Sequence, residues 1–230
     1  MQFTEQKIAS EKNLSYLIAE QLGKKILFGD YPPESILPGE LELSEQFQAS
    51  RTAIREAIKM LAAKGMLLPR PRIGTRIMPS ANWNYLDQDL LKWWMSGDNL
   101  NHVIQHFHFV RLAIEPQACF LAALHATEQQ KHTLQLFAME MAQLDKEFER
   151  QRWIEVDYQF HQAIYHSCGN PFLISFASLF RSAYQNYFDA ITKDEVIEVD
   201  THQQLVNAIV AGEAQKAFTI CHDLLTTARN

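Results

Sequence analysis

Cysteine is scarce in this chain. Its 230 residues include only Cys119, Cys168 and Cys221, an odd and widely spaced set with no CxxC pair. That argues against a disulfide framework or a cysteine zinc site and fits reduced thiols used as small apolar side chains. Glycine and proline are also few, eight of each. With long periodic apolar segments from residue 100 onward, this favours a mainly helical protein. No uninterrupted apolar run approaches the roughly 18–20 residues that span a membrane. The opening MQFTEQKIAS lacks the apolar core of a signal peptide, so the expected location is the cytoplasm, with no membrane partner. What is present is 47% apolar residue content, enough to bury a core and incompatible with wholesale disorder. The length suits two small domains.

The net charge of −6 is unevenly divided. Residues 1–78 hold 11 Lys and Arg against 9 Asp and Glu, and the remainder hold 10 against 18. Between Arg51 and Arg76, seven basic residues face the single acid Glu56. Such a local excess suits a phosphate footprint, or simply a solvated surface.

Apolar spacing predicts a helix from about Asn13 to Phe28, broken by Gly29-Asp30-Tyr31-Pro32-Pro33. A short helix follows Pro38-Gly39 and runs to about Phe47. Ser50 is a good N-cap for a third helix from Arg51 to about Lys64, with Gly65 ending it. Two short strands then flank the loop Arg70 to Gly74. This element order is that of a winged helix-turn-helix. Beyond it the spacing gives a short helix near 87–96 and long ones over about 100–125, 128–148, 151–168, 171–191, 195–211 and 213–229. The expected organisation is a winged helix-turn-helix over 1–79, a linker and short helix over 80–98, and an antiparallel all-helical bundle over 99–230.

On the third helix, Ile54, Ala57, Ile58 and Leu61 line one face, while Arg51, Arg55 and Lys59 fall at i, i+4, i+8 on another. The apolar face can dock the helix and leave the basic face for the DNA major groove, where arginine can contact guanine bidentately. Ser50, Thr52 and Lys59 suit phosphates. A basic stripe alone equally describes an ordinary amphipathic surface helix.

The segments Ile26-Leu27-Phe28-Gly29-Asp30-Tyr31, Leu37-Pro38-Gly39-Glu40-Leu41-Glu42-Leu43, Ser50 to Ala57, Gly65-Met66-Leu67 and Gly74-Thr75 appear in order and at the right spacing to resemble the GntR family signature. The resemblance implies DNA contacts from Arg51 and Arg55, with a wing tip near Arg72 and Gly74 in the minor groove. Two positions depart from it. Glu34 and Arg72 stand where the family usually has glycine. An arginine at the tip can reach into a narrow, electronegative minor groove.

Asp157 and His161 are four apart, so one helix face presents a carboxylate and an imidazole that can share a metal ion or a surface hydrogen bond. Arg111 to Pro116, Asp157 to His161 with Gly169-Asn170-Pro171, and His202 to Ile209 together resemble the effector-binding (FCD) domain of the FadR-type branch. Many members bind a metal through an Asp, a His four residues later and two later histidines. That implies Asp157, His161 and His202 as ligands for a divalent ion such as zinc, nickel or manganese. The fourth position is Leu224; His222 lies two residues away, about 200° round the helix. Three readings stay open: a three-ligand site, rescue by His222 on a shifted helix, or direct hydrogen bonding of the effector without metal. Arg111 is either a carboxylate anchor or the i, i+4 partner of Glu115. Asn170 either caps the helix at Pro171 or binds an effector hydroxyl. His102 and His106 also share a helix face and read as pocket-rim or surface residues.

Asn82 to Trp93, with Val110 to Pro116, is similar to the galactonate-operon repressor group. The resemblance implies a small carboxylate effector of the sugar-acid class (an aldonate, a hexuronate or a keto-deoxy derivative), with repression relieved on binding. A homodimer reading a two-fold operator is expected, and no enzymatic activity. The alternative is a metal-dependent hydrolase built on Asp157, His161 and His202, with His166 or Glu198 as general base.

Overall fold

The structure is a computed structural model. It describes residues 2–96, 100–177 and 198–227, with side chains over 14–96, 100–177 and 198–226. Much of the expected helix 171–191 and the start of that at 195 lie outside the described residues. The chain forms two compact units, residues 1–97 and 98–230.

The first unit begins with α1 (Gln2–Leu27). This helix starts well before Asn13, where apolar periodicity fades but good helix formers such as Glu, Gln, Lys and Ala continue. Ile18, Ala19, Leu22 and Ile26 form its buried stripe, while Leu14 and Leu17 of the same periodic set are exposed. α2 (Glu40–Gln46) and α3 (Arg51–Ala63) follow. The Ser50 hydroxyl accepts the Ala53 N–H at 3.1 Å and starts α3. Gly65 ends it at φ +75, with Met66 N–H returning to the Leu61 carbonyl at 3.0 Å. Only glycine fits there, because a Cβ would lie 2.2 Å from the Asn82 carbonyl oxygen.

β1 (Leu67–Arg70) pairs antiparallel with β2 (Gly74–Ile77), Leu67 opposite Ile77 and Arg70 opposite Gly74. A bridge from Ile36 to Arg76 extends this wing. The wing tip is a turn closed by Ile73 N–H to the Arg70 carbonyl, 3.2 Å. A matching turn has Ser35 N–H on the Pro32 carbonyl at 3.3 Å. Each has proline second (Pro71, Pro33) and a positive φ third: Arg72 at +65 and Glu34 at +71. That is the pattern of a type II turn, which normally places glycine at the third position. The two departures from the GntR pattern thus fall where the backbone asks for glycine.

Residues 80–96 join the same unit. A 3-10 turn (Ser80–Asn82) leads to α4 (Gln88–Trp94), and Trp83, Leu90 and Trp93 belong to the core built by α1 and α3. Asp87 caps α4 through the Leu90 N–H at 3.0 Å. The largely buried Lys64 reaches Asp87 at 2.7 Å and Asp89 at 2.8 Å, and the Tyr16 hydroxyl donates to Asp89 at 3.0 Å.

The second unit contains α5 (Leu100–His125), α6 (Glu128–Leu144), α7 (Arg150–Ser167), α8 (Val199–Val210) and α9 (Ala214–Thr227). Residues 171–177 are also helical. α5 packs against α7, α8 and α9, and α6 against α7 and α8. By length and hydropathy α5 could cross a membrane. Its inward face carries Arg111 and Glu115 among apolar neighbours, which identifies it as the central helix of a folded unit. Thr127 and Gln130 form a reciprocal capping box at the start of α6, satisfying two end donors.

Candidate functional site

Two sites emerge, one in each unit. In the first, Ala53, Ile54, Ala57, Ile58 and Leu61 bury one face of α3. Arg51, Thr52, Arg55 and Lys59 are exposed opposite, and Ser50 and the wing-tip residues Arg72 and Gly74 are exposed as well. Arg55 Nε donates to Glu40 at 2.7 Å, and Lys59 Nζ to Glu56 at 2.7 Å. Exposed pairs of this kind are worth only about 0–1 kcal/mol. They can yield to a competing phosphate or base at little cost.

In the second unit α5 supplies Arg111 and Glu115, α7 supplies Asp157 and His161, and α8 supplies His202. All five are buried. The surface reading of the Asp157–His161 pair is therefore excluded. α7 turns its Trp153, Asp157, Phe160, His161 and Ile164 face inward. One donor atom from each of Asp157, His161 and His202 lies within 4.8 Å of the others. Asp157 Oδ1 is 3.6 Å from His161 Nε2 and 3.2 Å from His202 Nε2. Asp157 Oδ1 and His202 Nε2 are both buried and make no hydrogen bond of good geometry.

The far side of each imidazole is held. His161 Nδ1 lies 3.3 Å from Glu115 Oε2, and His202 Nδ1 lies 2.9 Å from the Glu198 carbonyl oxygen. A partner at Nδ1 is the outer arrangement that aims Nε2 of a metal-bound histidine. Phe160 packs its ring 5.3 Å from that of His202 and 5.4 Å from that of His161. These two outer partners were not assigned from the sequence. Glu115 was visible only as a helical neighbour of Arg111, and a backbone carbonyl leaves no residue-type signal.

Arg111 donates from Nε and Nη2 to the two Glu115 oxygens, at 2.7 and 3.0 Å. The fork expected to bind an effector thus rests on an internal carboxylate. Burial pushes the Glu115 carboxyl up. The charges of Arg111 and His161 and their hydrogen bonds outweigh this and hold it at about 2. Burial likewise raises Asp157, but close contact with His202 and the charges of His161, His202 and Arg111 bring it below the usual range.

The fourth metal position does not fill. Leu224 is buried, and His222 is exposed, 3.6 Å from Asp223 and stacked on Phe218. Asn170 stands apart from the triad. Its Oδ1 accepts the Phe172 N–H at 3.0 Å and so caps the helical residues that follow. It lines a shallow depression with His125 and Phe172. Among the described residues neither base named for a hydrolase joins the triad in a chelating group. The Glu198 carboxylate accepts from Thr201 at 2.7 Å, and His166 lines a separate groove with Gln130 and Phe137.

Residues 14–77 match the family described as bacterial regulatory proteins, gntR family, and residues 107–227 match the FCD domain. An uncharacterized HTH-type transcriptional regulator of Escherichia coli K12, YieP, is 55% identical over 225 residues, with 98% of each chain covered. The galactonate operon transcriptional repressor of the same organism is 32% identical over 192 residues, covering 82% of this chain and 83% of that one. Among solved structures, Streptococcus agalactiae GntR aligns at a TM-score of 0.53 with 22% identity, covering 94% of this chain and 98% of its own. With a motif-bearing α3, a wing and a helical bundle all in place, the chain belongs to the GntR family and is a DNA-binding transcriptional regulator with an FCD domain.

Proposed function

We propose that this regulator is a cytoplasmic homodimeric repressor of sugar-acid catabolic genes, released when a small carboxylate binds in the helical unit. The observation that carries the effector site is the buried Asp157–His161–His202 cluster, whose inward atoms include two without hydrogen bonds. Likeness to the galactonate operon repressor supports the sugar-acid class.

The donor set fits a divalent ion. Two imidazoles and a carboxylate suit zinc, nickel or manganese, and the orphaned Asp157 and His202 atoms gain a partner. A bound ion would supply positive charge for an effector carboxylate, and Leu224 in place of a fourth ligand leaves room for one. Asp157, His161 and His202 would hold it, with Glu115 and the Glu198 carbonyl fixing the two rings. Arg111 would reach the same carboxylate only by exchanging Glu115 for it. In that reading Glu115 is an internal stand-in for the effector. The outward residues Phe109, Val110 and Leu124 of α5, each more than a third exposed, suit contact with a second copy.

At the other end, Arg51, Arg55 and Lys59 would enter the major groove, Ser50 and Thr52 would meet phosphates, and Arg72 with Gly74 would approach the minor groove. Release requires that the effector bind the DNA-bound and free arrangements with different affinity.

A gel shift with the DNA upstream of its own gene tests this. Binding is expected to weaken steeply with salt, and Arg55→Ala to lose about 1–3 kcal/mol of specific affinity. Galactonate, hexuronates and keto-deoxy acids are then added in turn. Release by one or more supports the proposal; no change in operator affinity with any of them would overturn the effector class.

Arg72→Gly gives a test with opposite signs. Relief of the left-handed φ should raise stability by about 0.5–1 kcal/mol in thermal unfolding, after allowing for glycine's greater unfolded freedom. Operator affinity should fall, because the side chain proposed to enter the minor groove is gone. Unchanged affinity would remove Arg72 from the interface.

A further inference from the structure

A pair of histidines on the first turns of α5 belongs to neither site. His102 and His106 are one helical turn apart and exposed. Their Nε2 atoms are 2.9 Å apart. Their ring centroids are 4.3 Å apart, with the planes nearly perpendicular. Two neutral imidazoles share such a contact when one ring donates from Nε2 and the other, protonated on Nδ1, accepts. Two strong nitrogen donors are thus held side by side on an exposed face of α5.

We propose that His102 and His106 form a second transition-metal site, separate from the buried one and specific for late divalent ions such as copper, nickel or zinc. The distances favour it. Tetrahedral zinc with Zn–N bonds of about 2.0–2.1 Å places two nitrogen ligands about 3.3 Å apart. A small outward rotation of either ring reaches that spacing. Two histidines at i, i+4 on one helix face are a known arrangement for holding zinc.

The proton balance is simple. The ion takes the Nε2 lone pair of each ring. The ring that had donated moves its proton from Nε2 to Nδ1 through solvent, so no net proton is released. Among the described residues no third histidine, cysteine or carboxylate joins the pair in a chelating group, so water completes the coordination. Exposure and water ligands make this site weaker and faster to exchange than the buried one. Donors that are all imidazole favour copper, nickel and zinc over manganese or magnesium. Binding would clamp the turn that opens α5, the helix that supplies Arg111 and Glu115, and would stabilise the folded form by linkage.

The test uses the untagged full chain, stripped of metal with a chelator and titrated with nickel(II) against a chromogenic competitor. Two classes of site are expected in the wild type. His106→Gln should weaken the looser class by about a hundredfold, as expected when one arm of a two-point chelate is lost, and leave the tighter class unchanged. Asp157→Asn should weaken only the tighter class, so failure of the buried metal site is distinguishable from failure of this one. His132→Gln, at another exposed histidine, should change neither. Both His106 and His132 are exposed, so loss of fold does not confuse the result, and far-ultraviolet circular dichroism checks it. If His106→Gln binds as many equivalents as tightly as the wild type, or if the wild type has no class beyond the one lost with Asp157→Asn, no second site exists.

Discussion

Replacing Glu115 by alanine is expected to destabilise the helical unit by about 3–5 kcal/mol, the usual effect of breaking a buried ion pair from one side. The Arg111 guanidinium is almost wholly buried, and it places both Nε and Nη2 on the Glu115 carboxylate. With the carboxylate gone, an arginine that cannot give up its charge stays in a low-dielectric interior. The magnitude therefore reports a buried charge that has lost its bidentate carboxylate more than the lost attraction. A double replacement separates the two. Arg111→Met with Glu115→Leu should recover most of the loss, because both charges leave together and similar volume returns. Urea unfolding of the full chain, followed by hydrogen exchange in α5 and α7, measures each variant. A Glu115→Ala loss below about 1 kcal/mol would mean that Arg111 does not depend on Glu115, its charge being met by solvent or by the neighbouring Asp157 carboxylate. Glu115→Gln serves a second purpose. It keeps the shape but weakens the hold on His161 Nδ1; on the proposed metal reading, affinity at the buried cluster would fall by roughly 10–100-fold, as for other partners behind a metal-bound histidine. Equilibrium dialysis with zinc reads this directly, without reference to DNA binding.

The winged helix was legible because each of its signals is local. Ser50 as a cap, Gly65 as a terminator and the alternation of Ile54, Ala57, Ile58 and Leu61 each act within a turn or two of chain. The positions Glu34 and Arg72 also stood out as departures, although only the positive φ at each shows what the departure means for the backbone. Residues 80–96 were harder. Trp83 and Trp93 signal burial, but which core receives them depends on contacts with α1 and α3, more than fifty residues earlier in the case of Tyr16 and Gly23. The inner faces of α5, α7 and α8 lay between these cases. Spacing placed Asp157 beside His161, while His202 came from family likeness alone. That the cluster is buried, and that each imidazole has an outer partner, arises only when three separate helices are packed. The same limit applies to Arg111. An i, i+4 glutamate leaves the arginine able to turn either way, and only the packed helices show the pair formed.

Trp93→Ala should be the most damaging single change in the DNA-binding unit, at about 3–5 kcal/mol for a buried tryptophan truncated to alanine. Trp93 is 1% exposed, and the chain makes room for it. A Cβ at Gly23 would come within 2.7 Å of its ring. The Tyr16 ring lies 6.2 Å away, centroid to centroid, and the Lys64 ammonium sits 5.3 Å above the indole. Removing the indole opens a cavity between α1, α3 and α4 and takes the aromatic face from beneath a largely buried cation. The expected result is a loss of two to three powers of ten in hydrogen-exchange protection across α1 and α3. Undiminished protection in α3 would show that α4 only rests on the unit.

The charges beside Trp93 add a pH signature. Burial raises the Asp89 carboxyl, but hydrogen bonds from Lys64 and Tyr16 outweigh that and hold it below its ordinary 3.8. Its contribution is therefore present above pH 3.8 and lost as pH falls through the lower folded value. Burial lowers Lys64, but Asp87 and Asp89 outweigh that and raise it above its ordinary 10.5. Its contribution is present below pH 10.5 and lost as pH rises through the higher folded value. A pH series on the wild type and Lys64→Met should show the variant lacking the alkaline slope and keeping only the part of the acid slope that Tyr16 supplies. If the variant kept the acid slope unchanged, Asp89 would owe its depressed value to Tyr16 and its other neighbours, and Lys64 would add nothing to the hold on α4 beyond the buried Leu90 and Trp93.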